Sequence, residues 1–411
     1  MPGKNRMNKL SRGRLFMVAV LAACSGFIVG LAIGANQIPF FKTIAAIEDF
    51  VLGREPGDKI PPTTSFDFTA ELDLTDTAID SIVRPTSVDQ FRRLRERLIQ
   101  HIWGIPALPY DQMPGEIRLV QDTRWQDMAN LQKVDEIVVE MEYNIESHVY
   151  HFVPKQSLNK LLLFHQGHAG DFISSKETIS YYVEKGFDVL AFAMPLLWRN
   201  KPDQNWVHTP NFGPIFLPDD LSDGTQFHKY IPLLSSLEFN PAKLFFHPVV
   251  VALNHALAQR PYDTVGMVGL SGGGWTAAIL PALDTRIRFS FQIAGSLPFY
   301  LRSVRPLKDM GDYEQYGLPL FGIANYLELY LLSSLGEDRI HVQILNGNDP
   351  CCFDQSSAEQ YARVLQQLMR RLEMPGSFRF YIDNTHREHI VSQFSRVLID
   401  AILDQENPSE L

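Results

Sequence analysis

The sequence predicts an α/β chain built on a mostly parallel, eight-stranded sheet flanked by helices. Three observations carry that expectation. From about residue 134 onward, short apolar runs alternate with helical patterns, the signature of parallel strands joined by crossover helices. Some of these runs, such as Lys160 to Phe164 (KLLLF), are continuously apolar, as befits strands covered on both faces. A glycine-rich turn, Gly269 to Gly273, separates one such run from a helical stretch at Trp275 to Leu280.

Taken in order, Ile137 to Tyr143 and Val149 to Val153 read as an opening antiparallel pair, followed by the strand Lys160 to Phe164. A helix over Lys176 to Lys185 closes at Gly186, a residue suited to the left-handed backbone that ends helices. Later strands are expected at Phe187 to Ala193, Thr264 to Val268, Phe289 to Ile293, Ile340 to Leu345 and Phe378 to Ile382, with a last amphipathic helix over Phe394 to Leu403. Between the fourth and fifth strands lies 195–246, rich in Pro, Trp, Phe and Asn, before a helix at His247 to Ala258. A loop of that length is usually functional, and we read it as a lid or substrate-binding insertion. Its Trp198, Trp206, Phe212 and Phe216 fit either a substrate-facing wall or the aromatic core of a lid.

Ahead of this domain (134–411), three segments differ in character. Leu15 to Ala35 carries no charge. About 21 helical residues at about 1.5 Å each cover the roughly 30 Å hydrocarbon core of a bilayer. Lys4, Arg6, Lys9, Arg12 and Arg14 precede it, so the positive-inside rule puts residues 1–36 in the membrane with a cytoplasmic tail and the body of the chain on the outer side. A cleaved signal peptide and a lipoprotein site at Leu21-Ala22-Ala23-Cys24 share the basic-then-apolar order. Residues 37–133 read as a tether and a helical extension, in which Val88 to Ile102 repeats Phe91, Leu94, Leu98 and Ile102 at helical spacing. The arginines on its opposite face read as solvated, with anionic lipid as a second use.

Composition narrows the function. Hydrophobic residues at 45% and charged residues at 20% are those of a globular protein, and a formal charge of -10 argues against a nucleic-acid surface. Three cysteines give no long-range disulfide framework; the adjacent Cys351 and Cys352 read as small buried hydrophobes, a vicinal disulfide being the alternative.

The turn Gly269-Leu270-Ser271-Gly272-Gly273 places a serine between a strand and a helix, with Gly two positions to either side. Such a serine sits on a strained turn, and the flanking positions must lack Cβ for strand and helix to approach. A phosphate-binding loop is disfavoured, because no Lys-Ser/Thr pair follows the glycines. On this motif, its place after the fifth strand and the strand count, residues 134 to 405 resemble the α/β-hydrolase superfamily.

That resemblance implies a nucleophile, acid and base in the order Ser, Asp or Glu, His. Ser271 is the nucleophile. Asp349, in the turn-rich segment after the seventh strand, is the acid, with Asp354, Asp312 and Glu314 as substitutes. His389, just before the last helix, is the base, with His386 as the alternative. The oxyanion of the reaction would meet the backbone N–H of Gly272 and one from the loop His165-Gln166-Gly167-His168-Ala169-Gly170, with His168 preferred and Gln166 next. His165, His168 and Asp171 lack a persuasive metal-ligand spacing, so neither a metal nor a cofactor is expected. The expected activity is hydrolysis of a carboxylic ester, small-molecule, lipid or carbohydrate, through an acyl-enzyme. A peptidase or acyltransferase on the same residues, or a non-catalytic binding protein, would be the other uses of the fold.

Overall fold

In the computed structural model, the described residues are 75–404 apart from 169, 203–204, 218–227, 303–310, 350 and 352–357. The expected membrane helix and the tether, in 1–36 and 37–74, and Asp354, in 352–357, lie outside them. Among the described residues no helix is long and apolar enough to cross a membrane. One compact unit runs from Phe68 to Leu411, which takes in the helical extension.

Its centre is a nine-stranded sheet: β1 (Glu116–Leu119), β2 (Leu131–Glu140), β3 (Glu146–Pro154), β4 (Lys160–His165), β5 (Phe187–Phe192), β8 (Thr264–Leu270), β9 (Phe289–Ile293), β10 (Ile340–Asn346) and β11 (Ser377–Asp383). The strand order is β1-β2-β3-β5-β4-β8-β9-β10-β11. β5, β4, β8, β9, β10 and β11 are parallel, while β1, β2 and β3 add on antiparallel at one side. The eight expected strands are all present. β1 is an additional edge strand, and its four residues are all exposed, so no hydrophobic pattern marks it in the sequence. β2 starts at Leu131 and stops at Glu140 rather than Tyr143, because Tyr143 adopts a left-handed backbone (φ 66°) that leaves the sheet.

Two apolar cores line the faces of the sheet. Helices Val88–Trp103, Lys243–Gln259, Gly272–Leu283, Tyr326–Ser334 and Ala358–Arg371 bury their apolar stripes on one face; Lys176–Glu184 and Gln393–Leu403 cover the other. With both faces covered, β4, β5, β8 and β9 are buried almost throughout, which is why their sequences read as unbroken apolar runs. The arginines of Val88–Trp103 are not uniformly solvated. Arg95 turns inward, its Nε donating to the Ala282 carbonyl at 2.6 Å and its guanidinium to Leu332 at 2.9 Å, so one cation satisfies carbonyls near two helix C-termini. Burial lowers its pKa to about 10.

The insertion after β5 contains a hairpin, β6 (Trp206–Thr209) with β7 (Gly213–Phe216), and a 3-10 segment at His228–Leu234. Trp198, Trp206, Phe212 and Phe216 are exposed rather than the core of a lid. The helix that follows starts at Lys243, ahead of the expected His247. Cys351 is exposed and disulfide-bonded, against the buried-hydrophobe reading; the two other cysteines lie outside the described residues.

Candidate functional site

The chain runs from β4 outward to β5 and later returns to lay β8 on the other side of β4. Loops leaving the carboxyl ends of β4 and β8 therefore diverge, and the crevice between them is where open α/β sheets bind ligands.

Ser271 stands at that point. It follows β8 directly and caps the helix Gly272–Leu283 with φ 59° and ψ −125°, a backbone that a non-glycine residue adopts only under strain of about 1–3 kcal/mol. Its N–H donates to the Ile293 carbonyl at 2.9 Å, and its own carbonyl accepts from Trp275 at 2.9 Å. The glycines around it are needed for space. A Cβ on Gly269 would lie 2.0 Å from the Gly273 carbonyl oxygen, and one on Gly273 would lie 2.0 Å from the carbonyl oxygen of His165. Both flanking glycines of the motif are thus fixed by backbone approach.

The loop after β4 folds over the serine. A Cβ on Gly167 would come within 2.5 Å of the Ser271 Cβ and 3.0 Å of its Oγ, so this glycine touches the nucleophile candidate. A Cβ on Gly272 would meet His168 Cε1 at 2.5 Å, which places the His168 ring against the backbone proposed to bind an oxyanion. The Gln166 N–H, expected as a second donor, is engaged elsewhere: it donates to Phe192 at 3.0 Å, while the side-chain oxygen accepts from Ser175 Oγ at 2.5 Å. Gln166 therefore braces the loop, and its backbone does not face the site.

Asp349 follows β10 and His389 follows β11, and the two side chains meet. His389 Nδ1 donates to Asp349 Oδ2 at 2.5 Å, while Asp349 Oδ1 accepts from the Cys351 N–H at 2.8 Å. Burial pushes the Asp349 carboxyl up, but the His389 and Cys351 hydrogen bonds outweigh it and hold the group below the usual carboxylate range. The opposite nitrogen, His389 Nε2, is buried without a hydrogen-bond partner. The Cys351 sulfur is also within reach of this pair, but it is bound in a disulfide. His386 makes a separate couple, its Nε2 3.2 Å from Asp383 Oδ2 and its Nδ1 accepting from the Glu388 N–H at 3.1 Å.

His165, His168 and Asp171 do not converge. His165 Nδ1 donates to the Gln166 carbonyl at 2.9 Å, and Asp171 pairs with Arg199 at 3.2 Å. His168 instead meets two residues that no sequence spacing connects to it, His228 from the insertion and Glu314 from the segment after β9. The Asp312 carboxylate lies 3.1 Å from His168 Nδ1. Burial opposes charge on His168, but Glu314 and Asp312 outweigh it and raise its pKa; on Glu314 burial is outweighed by the two histidines, which lower it.

No family model matches the chain, and no curated protein does. Among solved structures, the methylesterase BT1017 superposes with a TM-score of 0.51 at 14% identity, over 80% of this chain and 70% of its own. A candidate acetyl xylan esterase from Bacteroides fragilis NCTC 9343 gives 0.51 at 11% identity, over 83% of this chain and 91% of its own. A glucuronoyl esterase from Solibacter usitatus gives 0.47 at 11% identity, over 78% and 94%. At such identities the likeness is one of fold. Strand order, the strained serine after β8 and the two superpositions at a TM-score of 0.51 agree that the chain has the α/β-hydrolase fold.

Proposed function

We propose that the chain is a serine hydrolase that cleaves a carboxylic ester, with Ser271 as nucleophile, His389 as base and Asp349 as the acid that orients it. The observation that carries this reading is the His389–Asp349 hydrogen bond together with the buried, unpartnered Nε2 on the same ring. A ring held by Nδ1–H to a carboxylate has its lone pair on Nε2, the state a general base needs. His389 takes the Ser271 proton as Oγ attacks the ester carbonyl, and the alcohol leaves with that proton. A water deprotonated by the same nitrogen then releases the acid. Negative charge on the carbonyl oxygen is met by the Gly272 N–H and by the His168 N–H. The names of the two structural relatives at a TM-score of 0.51, a methylesterase and a candidate acetyl xylan esterase, agree with an ester bearing a small group.

Labelling of the full chain with a fluorophosphonate probe tests the assignment. Wild type and His386→Ala should label, whereas Ser271→Ala and His389→Ala should not. A well-folded wild type that neither labels nor hydrolyses p-nitrophenyl acetate would overturn it.

In the same reading, Leu15 to Ala35 anchors the chain with its catalytic unit on the outer side of the membrane. Basic residues before the apolar segment support this, as does the exposed disulfide at Cys351, a bond favoured in oxidising compartments. External protease should digest the catalytic unit of intact cells or spheroplasts; full protection would refute that orientation.

A further inference from the structure

We propose that His168, His228 and Glu314 form a binding site for a divalent transition metal of the zinc class, which fastens the insertion to the loop above Ser271. The three residues come from three separate segments, and all are buried. Their donor atoms lie within 4.8 Å of one another. His168 Nε2 is 2.9 Å from Glu314 Oε1 and 3.1 Å from His228 Nδ1, which is 2.8 Å from Glu314 Oε2.

The outward-facing nitrogens determine what the inward-facing ones offer. His228 Nε2 lies 2.9 Å from the Pro195 carbonyl oxygen, which can only accept, so this nitrogen carries a hydrogen. His168 Nδ1 faces the Asp312 carboxylate and carries a hydrogen for the same reason. In neutral rings the inner nitrogens, His168 Nε2 and His228 Nδ1, are then bare. Without an ion the short spacings to the Glu314 carboxylate call for added protons on these nitrogens; with one, two lone pairs and the carboxylate converge on it with no water-exposed face. Glu314 Oε1 is buried 2.9 Å from His168 Nε2, so either a proton on that nitrogen or an ion must satisfy it. A cation at the centre resolves this, and rings tied through their far nitrogens to a carboxylate and a carbonyl are how proteins orient histidine ligands.

Two imidazoles and one carboxylate suit zinc, with bonds of about 2.0–2.2 Å. Ligand atoms around such an ion stand roughly 3.3 Å apart in tetrahedral geometry, so the present spacings need widen by only a few tenths of an ångström. Magnesium and calcium, which take oxygen ligands, fit poorly. The ion would brace His168, whose ring packs on Gly272 and whose carbonyl accepts from the indole of Trp198 at 3.0 Å. The proposal stands on these contacts alone and does not require Ser271 to be a nucleophile.

Elemental analysis of the purified full chain, after exchange into metal-free buffer and addition of zinc, should find about one tightly held ion per chain. His228→Ala and Glu314→Gln should each lose it. Stripping wild type with a chelator should lower its melting temperature by about 5 °C or more, with recovery on adding zinc and no response in either variant. Cobalt(II) added to the stripped protein should give the visible absorption of a low-coordinate nitrogen and oxygen site. Because His228→Ala can fail to fold, near-ultraviolet circular dichroism of each variant is recorded and Glu314→Gln serves as the near-isosteric control. A folded wild type that retains no metal and shows no thermal or spectral response to zinc or cobalt would overturn the proposal, leaving a cluster held by protons. So would metal retained equally by folded Glu314→Gln.

Discussion

His389 and His386 stand three residues apart on one loop and engage different carboxylates: Nδ1 of His389 lies 2.5 Å from Asp349 after β10, whereas Nε2 of His386 lies 3.2 Å from Asp383, where β11 ends. A histidine bound to a neighbouring loop can act as a relay between strands, while one bound three residues back only shapes its own turn. Asp349→Asn should therefore reduce kcat for an activated ester by about 10³–10⁴-fold through loss of the correct tautomer, with the fold intact. Asp383→Asn should leave kcat within about threefold while lowering the melting temperature. Steady-state kinetics with thermal melts on both variants separates these outcomes, and a reversed ranking would move the base to His386.

Gly167 and Gly273 should fail in different ways when given a methyl group. In Gly273→Ala the new Cβ meets the backbone of His165 at 2.0 Å, so strand and helix must part, and we expect loss of several kcal/mol or of soluble protein. In Gly167→Ala the new contact is the side chain of Ser271 at 2.5 Å, next to the Leu270 carbonyl at 2.8 Å. Probe labelling should fall by at least about tenfold there with a smaller stability loss, measurable by urea titration.

Buried histidines, among them His151, His165, His247 and His341, should make the fold acid-sensitive, and His341 is the most strongly shifted of these. His341 is buried between β9 and β11, its Nδ1 donating to Ser290 Oγ at 2.7 Å and its Nε2 accepting from Gln292 at 3.0 Å. Burial, aided by Arg339, lowers its pKa to about 3. The unfolded chain, with an ordinary value near 6.5, binds a proton that the folded chain refuses, so stability falls as pH drops from about 6.5 towards 3. By pH 5 this group alone should cost about 2 kcal/mol. His341→Asn should destabilise at pH 7 yet flatten the pH dependence of the melting temperature between 7 and 5; an unchanged slope would exclude His341 as its source.

Arg84 ties the helical extension to the helix Tyr326–Ser334. Its backbone N–H, Nε and guanidinium all donate to Glu328, which is fully buried and also caps the helix Tyr326–Ser334 with Asn325. The arginine is itself half exposed, so its removal should cost only about 1–2 kcal/mol, chiefly by leaving a buried carboxylate short of donors. Arg84→Ala should lower the urea midpoint with an unchanged slope and an unchanged kcat.

What the sequence made visible follows from local physics. The parallel strands are buried on both faces and so announce themselves as apolar runs, and the elbow glycines sit within a few residues of the serine they serve. The meeting of Asp349 with His389 was legible only through the Ser, acid, His order that the resemblance implies. By contrast β1 has no buried residue to create a pattern, and Arg95 looks like its solvated neighbours until the carbonyls it meets are in place. Glu314 reads in the sequence only as a substitute acid, and its cluster with His228 and His168 escaped for a third reason. His228 and Glu314 lie on segments without regular periodicity, and their proximity to His168 exists only in three dimensions.

The pairing of β4 with β8 sets His165 beside Gly269, and two residues further along each strand's exit stand Gly167 and Ser271 in contact. A slip of one residue along that pair would shift the two loops by about 3.3 Å and reverse which face each side chain occupies. No partly registered sheet keeps the contact, so a half-folded molecule does not keep the Gly167–Ser271 approach. Heat inactivation should accordingly track global unfolding, and an assay of the serine doubles as a gauge of whether the middle of the sheet has been assembled.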